Sequence, residues 1–491
     1  MKRLLLAVAA VLAALLGTMA VRAAMVPEPA PAAAAEERVV IDEATAAQRL
    51  SGAVRFATVS TVSGGPIDTA AFLGFHAFLA TSFPRVHAAL KLEKIAGLSL
   101  LYTWTGTDSL SAPVVLMGHM DVVPVPEANL REWTHAPFSG DVADGYVWGR
   151  GTMDDKVTVL AVLEAVEDLL SRGLRPSRTV YLTFGHDEEV GGRFGARAIV
   201  DTLVRRGVKP ALVIDEGGVM ANSVIPGVAG LAAVVGIAEK GYLSLRLKAR
   251  AEGGHSSMPT SRTAVGALSR AIAALEANQF PFVLDGPTRG MLEAMAPYSS
   301  FGRKMVFANL WLTGPLVKKM LSGTPTTAAM LHTTTSPTML SAGIKDNVLP
   351  PEATAVVNFR IRPGETQSTV IARVAQVIAD TMISVTPTDS ARVDPSPVSN
   401  VDSPAFRLIA STVRGMVPGQ SVPVLPYLVG GGTDAKYWGP HSANVFRFLA
   451  VPLEQGDVAR IHGVNERMSV KSYGTAVTFY AQLLQHLDAL K

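Results

Sequence analysis

Three short apolar runs in this chain of 491 residues each stop at a histidine or a carboxylate, and that recurrence constrains the fold most. Residues 113–118 run into His119-Met-Asp121. Residues 178–185 run into His186-Asp187-Glu188-Glu189 and the pair Gly191-Gly192. Residues 211–214 run into Asp215-Glu216-Gly217-Gly218. Between the first two, Val159, Leu160, Leu163, Val166, Leu169 and Leu170 recur at helical spacing over 156–172 and stop at Gly173, and a second helix is expected over 196–206. Strand and helix in alternation predict a parallel α/β sheet. Ligands bind such sheets where the strands end, so the three polar tips meet on one rim. Carboxylates crowded there repel until one holds a proton, and a pair of divalent cations removes that conflict.

The cation must be held without thiolates, because the chain has no cysteine. Histidine and carboxylate ligands suit zinc, and also cobalt or manganese. A net charge of +3, with no basic run, argues against a nucleic-acid partner. With 48% hydrophobic and 17% charged residues the chain is globular, and its length predicts two interleaved domains. Residues 1–24 stand apart. Lys2-Arg3 precede an apolar run over 4–21, and Val21-Arg22-Ala23 has the small residues of a cleavage site, although Arg22 is unusual there. The segment reads as an export signal or as an uncleaved membrane anchor, and either places the protein in the periplasm or outside the cell. Residues 25–40 read as a linker rich in Pro, Ala and Glu.

The folded part is expected to begin at Ile41, with helices over 43–53 and 69–83 and a strand over 96–104. After Asp215 the pattern changes. Tyr242, Leu243, Leu245 and Leu247 lie in an alternating, half-buried strand over 239–251, followed by a helix over 264–278, a strand over 354–362 and a helix over 368–383. The expected organisation is a catalytic domain over 41–238 and 396–491, interrupted by an α+β lid or dimerisation domain over 239–395. A helix over 405–416, a turn at Gly430-Gly-Gly-Thr-Asp434 and a strand over 444–450 complete the first domain.

Six strings taken in order carry a resemblance. They are Gly118-His119-Met-Asp121-Val-Val-Pro124, Gly149-Arg-Gly-Thr-Met-Asp154-Asp155-Lys156, Asp187-Glu188-Glu189-Val-Gly191-Gly192, Asp215-Glu-Gly-Gly218, Gly253-Gly-His255-Ser-Ser-Met-Pro259 and Ile461-His462-Gly463. Together they resemble the dinuclear zinc aminoacylase and carboxypeptidase S family of amidohydrolases, in particular its carboxypeptidase S and N-acyl amino acid hydrolase branch. The match spans essentially everything after residue 40. The resemblance implies two Zn²⁺ ions, His119 and Asp215 completing one site, Glu189 and His462 the other, and Asp154 bridging both. It further implies that Asp121 orients His119, that Glu188 is the general base, that the Asp154–Asp155 peptide is cis, and that His255 donates to the oxyanion, often from a partner subunit. Adjacent side chains on an extended backbone face opposite ways, which would separate Glu188 from Glu189.

Arg360, Gly431 and Thr433 are candidates to hold a substrate carboxylate through a guanidinium fork and backbone donors, and Asn309 to position its carbonyl. The stretch 291–340, with six methionines, reads as lid-helix packing or as an adaptable wall for an acyl chain. His76, His87, His135, His186, His332, His441 and His486 fall outside these motifs and read as structural or surface residues. The expected activity is release of an amino acid from a small peptide or an N-acyl amino acid. The alternative, a non-catalytic peptide-binding relative of the same fold, would be marked by loss of Glu188 or of a ligand.

Overall fold

The computed structural model describes residues 1–31, 41–223, 225, 228, 230–388, 392–454 and 456–490. Part of the expected linker, 32–40, lies outside them. The three apolar runs form neighbouring parallel strands at the centre of a ten-stranded sheet. Val114–His119 lies between Val180–Gly185 and Leu212–Asp215, and its register sets His119 opposite Gly185 and Leu116 opposite Ile214. Their tips therefore share one rim.

Parallel pairing continues from Leu212–Asp215 to Val445–Arg447. The flanks are antiparallel: Ser99–Trp104 pairs with Val180–Gly185, and Leu231–Glu239 meets Val445–Arg447. The mixed, largely parallel α/β architecture is the expected one. The helix Lys156–Ser171 is buried along most of its length, packing Val159, Leu163 and Val166 with Leu116, Leu182 and Ile214 in the main core. On the other face Val115, Val213, Ile199 and Leu203 pack with Ala435 and Trp438. Helices thus cover both faces, as parallel strands require.

One strand was missed from sequence. Residues 91–104 form a hairpin, Lys91–Ile95 with Ser99–Trp104, rather than one strand from 96. Ala96 and Gly97 turn it with positive φ, and Lys91, Glu93 and Lys94 gave the outer strand too little apolar signal.

The alternating strand Gly241–Arg250 leaves the main sheet at Lys240 and pairs with Glu352–Ile361 and Ile383–Pro387 in a four-stranded antiparallel sheet. Leu243, Leu245 and Leu247 on one face pack with Leu268, Leu275, Phe359 and Val374 in a separate core. The helix expected over 368–383 ends at Ile378, where Ala379 takes a left-handed conformation and the chain turns into the Ile383–Pro387 strand. The helices Gly286–Met295 and Leu310–Leu321 take another course. Leu292, Met295, Leu310 and Val317 pack against Ala232 and Leu425 of the main sheet.

Candidate metal centre and catalytic site

His119 is the last residue of its strand and is 1% exposed. Its Nδ1 donates to the carbonyl oxygen of Asp121 at 2.9 Å, with the Asp121 carboxylate at 3.4 Å. That contact keeps a proton on Nδ1 and turns Nε2 to the Asp154 carboxylate, the side from which a cation would be held. The Asp121 carboxylate also accepts the N–H groups of Glu188 and Glu189, at 3.1 and 3.2 Å, so one buried carboxylate ties the first strand tip to the second. Orientation of His119 thus comes from the backbone of Asp121 more than from its side chain.

The Asp154 carboxylate stands between two imidazoles. Its Oδ1 lies 3.0 Å from His119 Nε2 and its Oδ2 lies 3.0 Å from His462 Nε2. The Asp154–Asp155 peptide is cis. Asp155 turns away, accepting the amide of His119 at 3.3 Å and the Thr158 hydroxyl. His462 Nε2 lies 3.2 Å from Glu189 Oε2, and the other oxygen of Glu189 is buried with no hydrogen-bond partner. Two groups of three ligand atoms result, each within 4.8 Å: His119, Asp154 and Glu216, and Asp154, Glu189 and His462.

Glu216 replaces Asp215 in this set, which corrects the sequence reading. Alternation along Leu212–Asp215 sends Asp215 to the side of Val213, where its carboxylate accepts the Ala435 amide at 2.6 Å. Glu216, just past the strand, reaches the rim with its longer side chain and stands 3.5 Å from His119 Nε2. A second correction concerns Glu188 and Glu189. They open a tight turn, Glu188–Val190, and are not extended. The turn still separates them: Glu189 meets His462, while Glu188 faces the charges of Asp434 and Lys436.

The electrostatics fit a cation. Burial, reinforced by the Asp154 charge, pushes Glu216 up to about 7. Burial and the Asp434 carboxylate hold Glu188 well above the usual carboxylate range. The hydrogen bonds it donates to Asp154 and Glu189 push His462 up to about 10. So much buried acid on one rim, including a Glu189 oxygen with no hydrogen-bond partner, is the donor set a divalent cation neutralises.

Two residues that sequence reasoning passed over hold the second group together. Arg150 and Glu466 form a fully buried ion pair. Glu466 Oε1 accepts the amides of Gly151, Met153 and Asp154 at 2.9, 2.8 and 3.3 Å. Arg150 Nη2 donates to the carbonyls of His462 and Gly463, both at 3.1 Å. His462 itself has φ of 59°, a left-handed conformation that needs such support. The available signal was the charge of Arg150 between two glycines; Glu466, in the string His462-Gly-Val-Asn-Glu466, carried none.

The remaining candidates stand elsewhere. Thr433 is occupied, its N–H and hydroxyl donating to Glu239 Oε2 at 2.8 and 3.2 Å, while Glu239 also pairs with the buried Arg447. It orders the turn and has no donor left for a substrate. Gly431 is exposed in open space. Arg360 lies in the second sheet with its guanidinium 4.8 Å from the Tyr242 ring. Asn309 is fully buried, donating to the carbonyls of Met19 and Met305 at 3.1 and 2.8 Å, so it joins two helices. His255 is exposed, its Nδ1 held by Ser257 at 2.7 Å, and no described contact joins it to the cluster.

The sequence profile of peptidase family M20/M25/M40 matches residues 115–486. The chain is 41% identical over 446 residues to probable carboxypeptidase S-like 2 of Dictyostelium discoideum, covering 90% of this chain and 85% of that one. It is 39% identical over 445 residues to the N-fatty-acyl-amino acid synthase/hydrolase PM20D1 of Xenopus tropicalis, with the same coverage. Among solved structures, the M20 family metallo-carboxypeptidase Sso-CP2 of Sulfolobus solfataricus superposes with a TM-score of 0.65 at 17% identity, over 91% of this chain and 99% of that one.

Proposed function

This chain belongs to peptidase family M20/M25/M40 and is a metal-dependent hydrolase of amide bonds, and from that premise we propose that it releases a free amino acid from small peptides or N-acyl amino acids. The observation that carries the proposal is Asp154, one carboxylate reaching two histidines in two three-ligand groups, with Glu188 beside them. His119 and Glu216 would hold one Zn²⁺ and Glu189 and His462 the other, with Asp154 shared. When bound, two such ions polarise the scissile carbonyl and acidify the attacking water.

The chain's own groups do the rest. Glu188, freed of its proton once the rim is neutralised, takes a proton from the attacking water and passes it to the leaving amine. Asp121 holds His119 and the Glu188–Glu189 turn in register. His255 reaches the carbonyl oxygen only if the inserted domain, taken as 239–395, closes over the rim or a second copy supplies it. The open edge of the Thr334–Ala342 strand, with Met339 and Leu340 exposed, supports a homodimer through that domain. Arg360 and Gly431 would meet the substrate carboxylate in the closed form. The Lys2–Ala24 helix, 23 residues whose most apolar 18-residue window has a mean hydropathy of 2.6, supports export with or without retention at a membrane.

The test is a rate profile over N-acyl amino acids and dipeptides, each with a free and an amidated carboxyl end. Free-acid substrates should exceed the blocked ones by roughly 10²-fold in kcat/KM, the scale of a lost charge-assisted pair. Equal turnover would indicate a general amidase instead.

A further inference from the structure

Between Glu293 and Asp346 the chain contains no acidic residue but five basic ones, Arg303, Lys304, Lys318, Lys319 and Lys345. Within that stretch the helix Leu310–Leu321 buries Leu310 and Val317 against the main sheet. Its opposite face is apolar and open: Trp311, Leu312, Leu316 and Met320 are 39–70% exposed, and Phe301 on the preceding helix is 54% exposed. Helical spacing puts Trp311, Leu312, Pro315, Leu316, Lys319 and Met320 on one side. Soluble surfaces rarely gather so many large apolar groups.

What lies beside this face suggests its partner. The Lys2–Ala24 helix packs against the Phe301–Phe307 helix. Asn309 donates to Met19 O at 3.1 Å, Arg22 donates to Ala308 O at 3.2 Å, and Ala23 is buried. Most of the rest of that helix is exposed, with Leu4, Leu5, Leu6, Val8, Val11, Leu12 and Leu16 open on its surface. At 1.5 Å per residue the stretch before Met19 is about 25 Å long, enough to enter most of a hydrocarbon core of about 30 Å.

We propose that the exposed face of Leu310–Leu321, with Phe301, docks on an anionic lipid bilayer at the point where the N-terminal helix enters it. The helix would lie in the interfacial plane with Trp311 at headgroup depth, as amphipathic helices rich in Lys and Trp do. Lys319 bends its ammonium to the phosphates while its stem covers the apolar face, and Arg303, Lys304 and Lys318 add attraction to anionic headgroups. The enzyme is then held in one orientation against the membrane instead of swinging on a tether.

Trp311 is its own probe, because Trp104, Trp133, Trp148 and Trp438 are all at most 9% exposed. The full chain is reconstituted into vesicles of phosphatidylglycerol and phosphatidylcholine with brominated acyl chains, and tryptophan emission is read. The expected result is quenching that falls by more than half in Trp311→Phe and weakens in the double variant Lys318→Glu, Lys319→Glu. Amide hydrolysis by the same preparations certifies the fold, and its loss would concern the catalytic reading alone. Three results overturn the proposal: vesicle-bound protein quenched equally with and without Trp311, equal quenching in phosphatidylcholine alone, or no association with vesicles. Self-association through Trp311 in detergent, without lipid quenching, assigns the face to a second copy and overturns it too.

Discussion

The two three-ligand groups of the proposed metal centre are built by different means. The half containing His119 and Glu216 sits on the sheet: each residue lies at or just beyond the end of a central parallel strand, and pairing of those strands sets their separation. The half containing Glu189 and His462 has no such frame. Glu189 is in a tight turn, and His462 is on a loop in a left-handed conformation, half exposed. Its position depends on charge, through the Arg150–Glu466 pair that grips the Asp154 loop with one residue and the His462 loop with the other. A sheet positions ligands by backbone register; a loop needs a buried ionic clamp.

The largest effect expected separates the two neighbours that this arrangement sends apart. Glu188→Gln should keep both ions and lose kcat by ~10²–10⁴-fold, the scale of a removed general base. Glu189→Ala should lose the ion of the loop-borne half and unfold more readily, because metal binding is linked to folding. Elemental analysis with kcat for each variant checks this, and metal loss in Glu188→Gln would exchange the roles.

Next in size is the clamp. Arg150→Met strands a buried Glu466 carboxylate and should cost ~3–5 kcal/mol in denaturant unfolding. It should also weaken metal binding at the loop-borne half while the sheet-borne half keeps its ion. Equal weakening of both would remove the distinction between sheet and clamp.

The smallest effect sharpens the correction at the third strand. Asp215→Asn weakens one charged hydrogen bond, to the Ala435 amide, and should cost at most ~1.5–3 kcal/mol of stability with metal content intact. Glu216→Gln should reduce metal content at the sheet-borne half. The opposite pattern would restore Asp215 as the ligand.

The same contrast explains what was legible in the sequence. Apolar runs with polar ends announced the central strands, and His119 and Asp154 stood in recognisable strings. The choice between Asp215 and Glu216 was not legible, because it depends on which face the last strand residue takes and on a one-methylene difference in reach. Thr433 looked like a substrate donor until Glu239, 194 positions away, was seen to occupy it. Asn309 proved to join helices near the N-terminus, a contact across 290 positions. Arg150 and Glu466 went unnoticed because only folding brings them together, 316 residues apart. Local pattern fixes elements; long-range hydrogen bonds assign the polar residues between them.

The central claim is a shared two-ion centre on which hydrolysis depends. Its most direct test is zinc titration of chelator-stripped protein at neutral pH, reading bound ions, released protons and amide hydrolysis together. Asp154 and Glu189 raise His462 to about 10, so the stripped protein holds a proton there below that pH, and zinc entry must expel it. Affinity should therefore rise with pH across the neutral range. The account predicts two zinc ions per chain, proton release on binding, and hydrolysis that returns only with bound metal. Full hydrolysis in the stripped protein would contradict it.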